Sequence, residues 1–181
     1  TSLVICDPKL ELYKSSKQTL ERRGYGVYLL NLDDPLHSMG FNPLEQILNL
    51  YLEKDYANAE LLAQAFSYSI FNPDKPASSD TFWNDMASSL LTALILAHLE
   101  DCIKMDEIEN ERSLKKWERE GHTEPFEPSH SNIKKVSMYS IINTFTDLAR
   151  VKGQDDPDIN LLDDYFNKRP ALNRAKLKYA G

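Results

Sequence analysis

A chain of 181 residues with 41% hydrophobic and 27% charged side chains can bury one moderate core, which fits one compact domain or one domain with an appendage. Its net charge of −7 argues against a general nucleic-acid binder, and two cysteines make neither a disulfide framework nor a metal quartet, pointing to free thiols in a reducing compartment. The most apolar stretch, Leu90 to Leu99, is broken by Thr92 and His98 and falls well short of the roughly twenty residues of a membrane span, so no span is expected.

The chain opens on Leu3 to Cys6, apolar without alternation, as in a strand covered on both faces. Pro8 lacks an N–H, so the strand ends at Asp7 and delivers Asp7, Lys9 and Glu11 to the carboxyl edge of a sheet, where α/β proteins place ligands. Leu10 to Arg23 reads as a helix with a basic last turn and a glycine stop at Gly24, and Val27 to Leu30 as a second strand. Two parallel strands bury too little to stand alone, so the rest of the sheet is expected outside these residues; Thr1, with no initiator methionine or signal-like stretch, fits a start upstream.

The remainder is helical by pattern. Pro43 and Leu44 lead into a helix to about Lys54, and Asp55 caps the next, with Ala59, Leu62, Ala65, Phe66 and Ser69 on one face and Asn72-Pro73 as its stop. After a loop to Ser79, Asp80 caps the longest helix, in which Trp83, Met86, Ala87, Leu90, Leu91, Leu94, Ile95, His98 and Cys102 recur at spacings of three and four. Between Lys104 and Ser131 the apolar periodicity is lost beyond Leu114 and Trp117, which predicts a frayed helix and then a mobile loop. Helical period returns from Ile133 to Val151 through Val136, Tyr139, Ile142, Phe145 and Leu148. A short helix from Asp158 to Asn167 follows, then a last one from Pro170 to Ala180 with Ala171, Leu172, Ala175 and Tyr179 inward.

Charge is sorted along this region. Lys134, Lys135, Arg150 and Lys152 against Asp147 make the Ile133 helix basic, whereas Asp155, Asp156, Asp158, Asp163 and Asp164 form an acidic run. Lys168, Arg169, Arg174, Lys176 and Lys178 follow without an acid among them, so the C-terminal helix is a candidate DNA-facing element; the alternative is a solvated face paired with neighbouring aspartates. His98 and Cys102 share the apolar core face, the position of a packed histidine and a buried thiol rather than of a zinc site. His122 and His130 fall in the expected loop, Trp83 is placed in the core, and Trp117 at an interface or under a loop.

Four segments in order also resemble a known family, the coupling proteins of conjugative and type IV secretion systems, or TraG/TraD group of ATP-driven DNA translocases. They are Asp7-Pro8-Lys9-Leu10-Glu11-Leu12, Gly24-Tyr25-Gly26-Val27-Tyr28-Leu29-Leu30-Asn31, Phe41-Asn42-Pro43-Leu44 and Phe82-Trp83-Asn84-Asp85-Met86-Ala87. Leu10 stands where the family carries glycine and Phe41 where it carries tryptophan. The resemblance implies a mainly α chain: a partial α/β strand-helix-strand corner of a RecA-like ATPase domain over residues 1–43, and an all-helical substrate-recognition domain over 44–181, its mobile loop at about 105–131. It implies that Asp7, Lys9 and Glu11 lie near nucleotide in the parent protein, whose cofactors are ATP and magnesium. None of the six glycines lies in a phosphate-cradling Gly-x-x-x-x-Gly-Lys-Ser/Thr loop and no apolar strand ends in Asp-Glu, so this chain alone is not expected to hydrolyse ATP; both features are implied to flank it.

The partners implied are relaxosome proteins or a secreted substrate, with weak single-stranded DNA contact through Lys134, Lys135, Lys168, Arg169, Arg174, Lys176 and Lys178. The parent is implied to be a plasmid-transfer hexamer at the cytoplasmic face of the bacterial inner or plasma membrane, and this piece a soluble monomer without membrane contact. Two other readings stay open. One is a small nucleotide-dependent α/β enzyme using Asp7, Lys9 and Glu11, the other a protein-only helical adaptor docking through its acidic region from Glu100 to Glu127.

Overall fold

In the computed structural model, which describes residues 2–73, 81–150 and 160–180, the chain forms two compact units, Thr1–Phe41 and Asn42–Gly181. Among its described residues the first holds a 3₁₀ turn at Pro35–His37 and one α-helix, α1 (Glu11–Arg22). Its end is built as the sequence predicts: Gly24, at φ 83°, lets its own N–H reach Glu21 O and that of Tyr25 reach Leu20 O, closing the last turn. The two expected strands are not formed. Among the described residues Leu3–Cys6 and Val27–Leu30 join no ladder, and Leu3, Val4, Tyr28 and Leu30 are exposed. A strand exists only through its partner, and a lone pair of short parallel segments has too few cross-strand bonds and too little cover to persist.

The second unit is all-helical among its described residues: α2 (Glu45–Leu52), α3 (Tyr56–Phe71), α4 (Phe82–Arg119), α5 (Met138–Leu148), α6 (Leu161–Asn167) and α7 (Arg174–Ala180), with a 3₁₀ turn at Ile133–Lys135. Lys54, at φ 63°, ends α2 in the left-handed conformation, and Asp55 then caps α3 by accepting the Asn58 N–H at 3.3 Å. Ala59, Ala63 and Ser67 form the fully buried stripe of α3, with Leu62 and Phe66 beside them; Ala65 and Ser69 are exposed, one step off the predicted face. The core is centred on α4, where Leu91 to Ala97 and Leu99 are buried against Leu44, Ile47, Ile133, Val136, Ile141, Leu162 and Phe166. By length and composition α4 could cross a membrane, but half of its most apolar window is already covered inside this unit.

Several expectations change here. Helix α4 runs through 105–119, half of the expected mobile loop, because Met105 to Arg119 is rich in straight-chain helix formers and meets no Gly or Pro before Gly121. Trp83 is 75% exposed, since α4 begins a turn before the core does. Helix α5 begins at Met138, behind a Ser137–Ser140 capping box, and buries Ile141, leaving Tyr139, Ile142 and Phe145 exposed. The 3₁₀ turn and the break at Val136 and Ser137 shift the helical phase, so periodicity carried through from Ile133 selects the wrong face. Helix α7 begins at Arg174 rather than Pro170, and Leu172 is 86% exposed in the preceding turn. The Asp80 cap, the 74–79 loop and the residues Val151, Lys152, Asp155, Asp156 and Asp158 lie outside the described residues; Asn160 caps α6 by accepting from Leu162 N–H at 2.9 Å.

Candidate functional site

At the start of α1, Asp7 Oδ2 accepts the Tyr13 N–H at 2.8 Å, so its carboxylate satisfies a helix end. The turn that makes this possible is closed by Leu10 N–H on Asp7 O at 3.1 Å and puts Leu10 at φ 56°. That is a left-handed position, costly for a side chain and free for glycine. Lys9 and Glu11 are exposed. Asp7, Lys9 and Glu11 are thus neighbours on one turn, but among the described residues nothing encloses a triphosphate beside them.

The C-terminal basic residues divide into distinct environments. Arg169, with only 11% of its side chain exposed, lies over the Tyr165 ring at 4.1 Å and is bound from several sides. Its Nη2 donates to Asp101 Oδ2 at 2.7 Å and to Ala97 O at 3.1 Å, and its Nη1 to Tyr165 O at 2.9 Å. The Tyr165 hydroxyl donates a hydrogen bond to the same Asp101 oxygen at 2.5 Å. Burial, then that hydrogen bond, pushes the Tyr165 hydroxyl well above its ordinary range; burial alone would lower Arg169, but Tyr165 and Asp101 outweigh it and hold the guanidinium charged. Neighbouring Glu100 accepts from Tyr51 at 3.3 Å and Asn173 at 2.7 Å. Burial, reinforced by Glu100, raises Tyr51 as well. Glu100 and Asp101 therefore tie α2, α6 and the approach to α7 onto α4. Arg169 holds the fold together at this seam, and its guanidinium is occupied.

Arg174 and Lys178 both close on Glu60 of α3, at 2.6 and 3.2 Å. Burial works to raise Glu60, but the hydrogen bonds from Arg174 and Lys178 prevail and hold it below the ordinary carboxylate range. Lys168 pairs with Asp164 at 2.6 Å, and Lys176 Nζ donates to the carbonyls of Asn167 and Arg169 at 3.1 and 3.3 Å. Tyr179, stacked on Phe166 at 4.2 Å, donates its hydroxyl to Asp163; burial first and this bond second push it up to about 12. Lys134 and Lys135 stand exposed on the 3₁₀ turn and have no ion-pair partner among the described residues. The basic residues that sequence grouped together are thus mostly consumed by carboxylates on α3, α4 and α6.

Two features lay beyond the reach of sequence. Asp106, 4% exposed, accepts from Asn132 N at 2.8 Å, Asn132 Nδ2 at 2.9 Å and Ile133 N at 3.1 Å, while Asn110 exchanges two bonds with Ser129. These clasp the return segment along α4. Its far end is packed by Trp117, stacked on His122 at 5.4 Å with Phe126 edge-on, which is the contact under a loop anticipated for Trp117. The other is a cleft of about 440 Å³ among Glu60, Leu172, Arg174, Leu177 and Lys178, adjoining one of about 500 Å³ between α3 and α4. His98 sits half-buried near Thr144 Oγ1 at 3.4 Å, and burial, partly opposed by Asp101, lowers it. The thiol of Cys102 is pushed up to about 11 by burial and then by Asp101 and Asp106. No cluster of three or more His, Cys, Asp or Glu able to hold a metal occurs among the described residues.

Compared with known protein families, the chain matches over residues 1–148 the one described as Type IV secretory system Conjugative DNA transfer, a match that runs from α1 to the end of α5. No curated protein and no solved structure matches.

Proposed function

We infer, from the premise that this chain belongs to the type IV secretory system conjugative DNA transfer family, that it is a segment of a coupling protein whose helical unit, 42–181, receives the transfer substrate at the secretion channel. The observation that carries the reading is the family match, which crosses the boundary between the units and covers most of the helical one. In this proposal the parent is an ATP-driven translocase on the cytoplasmic side of the membrane, ATP and magnesium are bound mainly by its other parts, and Lys9 and Glu11 contribute at the edge. This chain alone hydrolyses no ATP.

Between the two substrate classes, the geometry favours protein. Arg169 and Lys168 are neutralised by carboxylates and Arg174 and Lys178 share the single carboxylate of Glu60, and a cation already paired has little counterion to release on meeting a phosphate. A second, weaker contact with single-stranded DNA is supported by Lys134 and Lys135, adjacent, exposed and without an ion pair among the described residues. The test is a pair of titrations of the whole chain, one with a purified relaxosome protein and one with labelled single-stranded DNA over a salt series. Saturable protein binding that survives moderate salt, with DNA binding that collapses in Lys134→Glu/Lys135→Glu, supports the reading. Saturable binding to neither, at low salt, overturns it.

A further inference from the structure

Helix α3 carries Leu61, Ala65 and Tyr68 outward at helical spacing, all exposed, although the opposite stripe of the same helix is sealed in the core. Beside them α4 presents Ser88, Ser89 and Thr92, and the trough of about 500 Å³ between the two helices is lined by both sets. The small residues make the trough, and they also fix its chemistry. Ser88 and Thr92 turn their hydroxyls onto Asn84 O and Ser88 O, each at 2.8 Å, so these two side chains ask no hydrogen bond of an occupant and present carbon to it. At Lys178 the trough meets the cleft of about 440 Å³, where Leu172 and Leu177 add further exposed leucine surface. This face sets exposed apolar side chains of α3 against small hydroxyl residues of α4, with Gln64 turned onto Glu60 at 3.3 Å, and is charged at identifiable points.

The charges select the occupant. Glu60 is one carboxylate set between two cations, Arg174 and Lys178, which leaves that junction with one positive charge in excess. The acid lining the trough itself, Asp85, is held by the Thr81 hydroxyl at 2.9 Å and lies apart from the junction cleft, whose lining lacks it. We propose that the α3–α4 trough is the docking groove for an amphipathic helix of a protein substrate, one with an apolar ridge at intervals of three and four and an acidic residue set against Arg174 and Lys178. Residues at those intervals share one helix face, which is how helices recognise grooves of this kind. The carboxylate supplies the charge the junction lacks and fixes the direction in which the helix lies. The inference rests on the proposed protein-receiving role and names the chemistry of what is received.

The experiment uses the whole chain and fluorescent helical peptides that share one leucine ridge and differ only in an acidic, neutral or basic polar face, followed by anisotropy. The acidic peptide is expected to bind at least about tenfold more tightly than the basic one. Lys178→Gln, which leaves Arg174 on Glu60, should erase most of that preference at an unchanged melting temperature, and Leu61→Asp should weaken all three peptides. Lys134→Glu is the control and should leave them unmoved. Equal binding of acidic and basic peptides, no binding by any, or a preference that survives Lys178→Gln overturns the groove. The two readings fail separately: a relaxosome protein that binds while the peptides do not removes the groove alone, whereas peptide binding without any relaxosome partner removes the receiving role and leaves the groove.

Discussion

Helices α1, of 12 residues, and α4, of 38, both end on a left-handed glycine and differ in what stands behind them. Helix α1 is capped at both ends, by Asp7 and by Gly24, yet none of its residues is buried, whereas α4 buries a continuous run from Leu91 to Ala97. Local signals are sufficient to start and stop a helix and insufficient to hold one: an isolated helix of this length is marginal in water, and stability comes from the face it buries. The contrast predicts where damage is felt. Phe166, fully buried beneath Tyr179, should cost about 3–5 kcal/mol on truncation to Ala, while Val4→Ala should move the global transition by less than about 0.5 kcal/mol. Urea unfolding followed by circular dichroism measures both, and a Val4 variant as damaging as the Phe166 one would erase the distinction.

A second break in the comparison concerns the distal half of α4, which has few apolar contacts and is tied down by polar ones. Asp106→Ala strands two backbone N–H donors and an amide of the returning chain, and should destabilise by about 2–3 kcal/mol. Limited proteolysis should then cut 122–131 faster than in the parent. Asp106→Asn, which retains an acceptor, should fall between. Protection of that segment unchanged in the Ala variant would mean that the Trp117 packing, not the carboxylate, holds it.

Sequence was most informative where one residue performs a local task. Gly24 as a stop, Asp55 as a cap and the apolar spacing of Leu91, Leu94 and Ile95 are each decided within a few residues, and each is found where expected. It was least informative where partners lie far along the chain. Nothing near Arg169 reveals Asp101 or Ala97 and nothing near Arg174 reveals Glu60, so a run of cations read as DNA-facing or as paired with neighbouring aspartates, and its ties to α3 and α4 stayed hidden. Polar Met105 to Arg119 resembled a loop because the Asp106 and Asn110 clasps that repay its exposure are made by residues 19 to 27 positions away. The face of α5 was misjudged for a local reason, a break at Ser137 that interrupts the period.

Two strained positions sharpen the same contrast. Leu10 and Lys54 both sit at left-handed φ, one beside a helix with no core and one inside the cored unit. Replacing either with Gly removes a steric cost of about 1 kcal/mol, set against the greater freedom of Gly in the unfolded chain. Lys54→Gly should raise the melting temperature of the helical unit by a few degrees. Leu10→Gly should leave that transition where it is and instead raise protection of the first amides of α1 in hydrogen exchange. A shift of the main transition by Leu10→Gly would show that the two units unfold together.

The smallest effect expected is at alkaline pH and comes from the core of α4. Cys102 is raised from 9.0 to about 11, chiefly by burial. Its folded-state value lies above the unfolded one, so its contribution to stability is whole below about pH 9 and is lost as pH rises through 11, because the unfolded chain releases the proton first. Allowing for solvent screening, the loss is on the order of 1 kcal/mol. Tyr179, raised to about 12 by burial and by Asp163, adds to the decline at the upper end. Cys102→Ala should flatten the stability profile between pH 9 and 11 while lowering it throughout, since a small core cavity replaces the sulfur. The two effects are separable by measuring the slope with pH and the neutral-pH stability in one denaturation series, and an unchanged slope in the variant would assign the alkaline loss to the buried tyrosines alone.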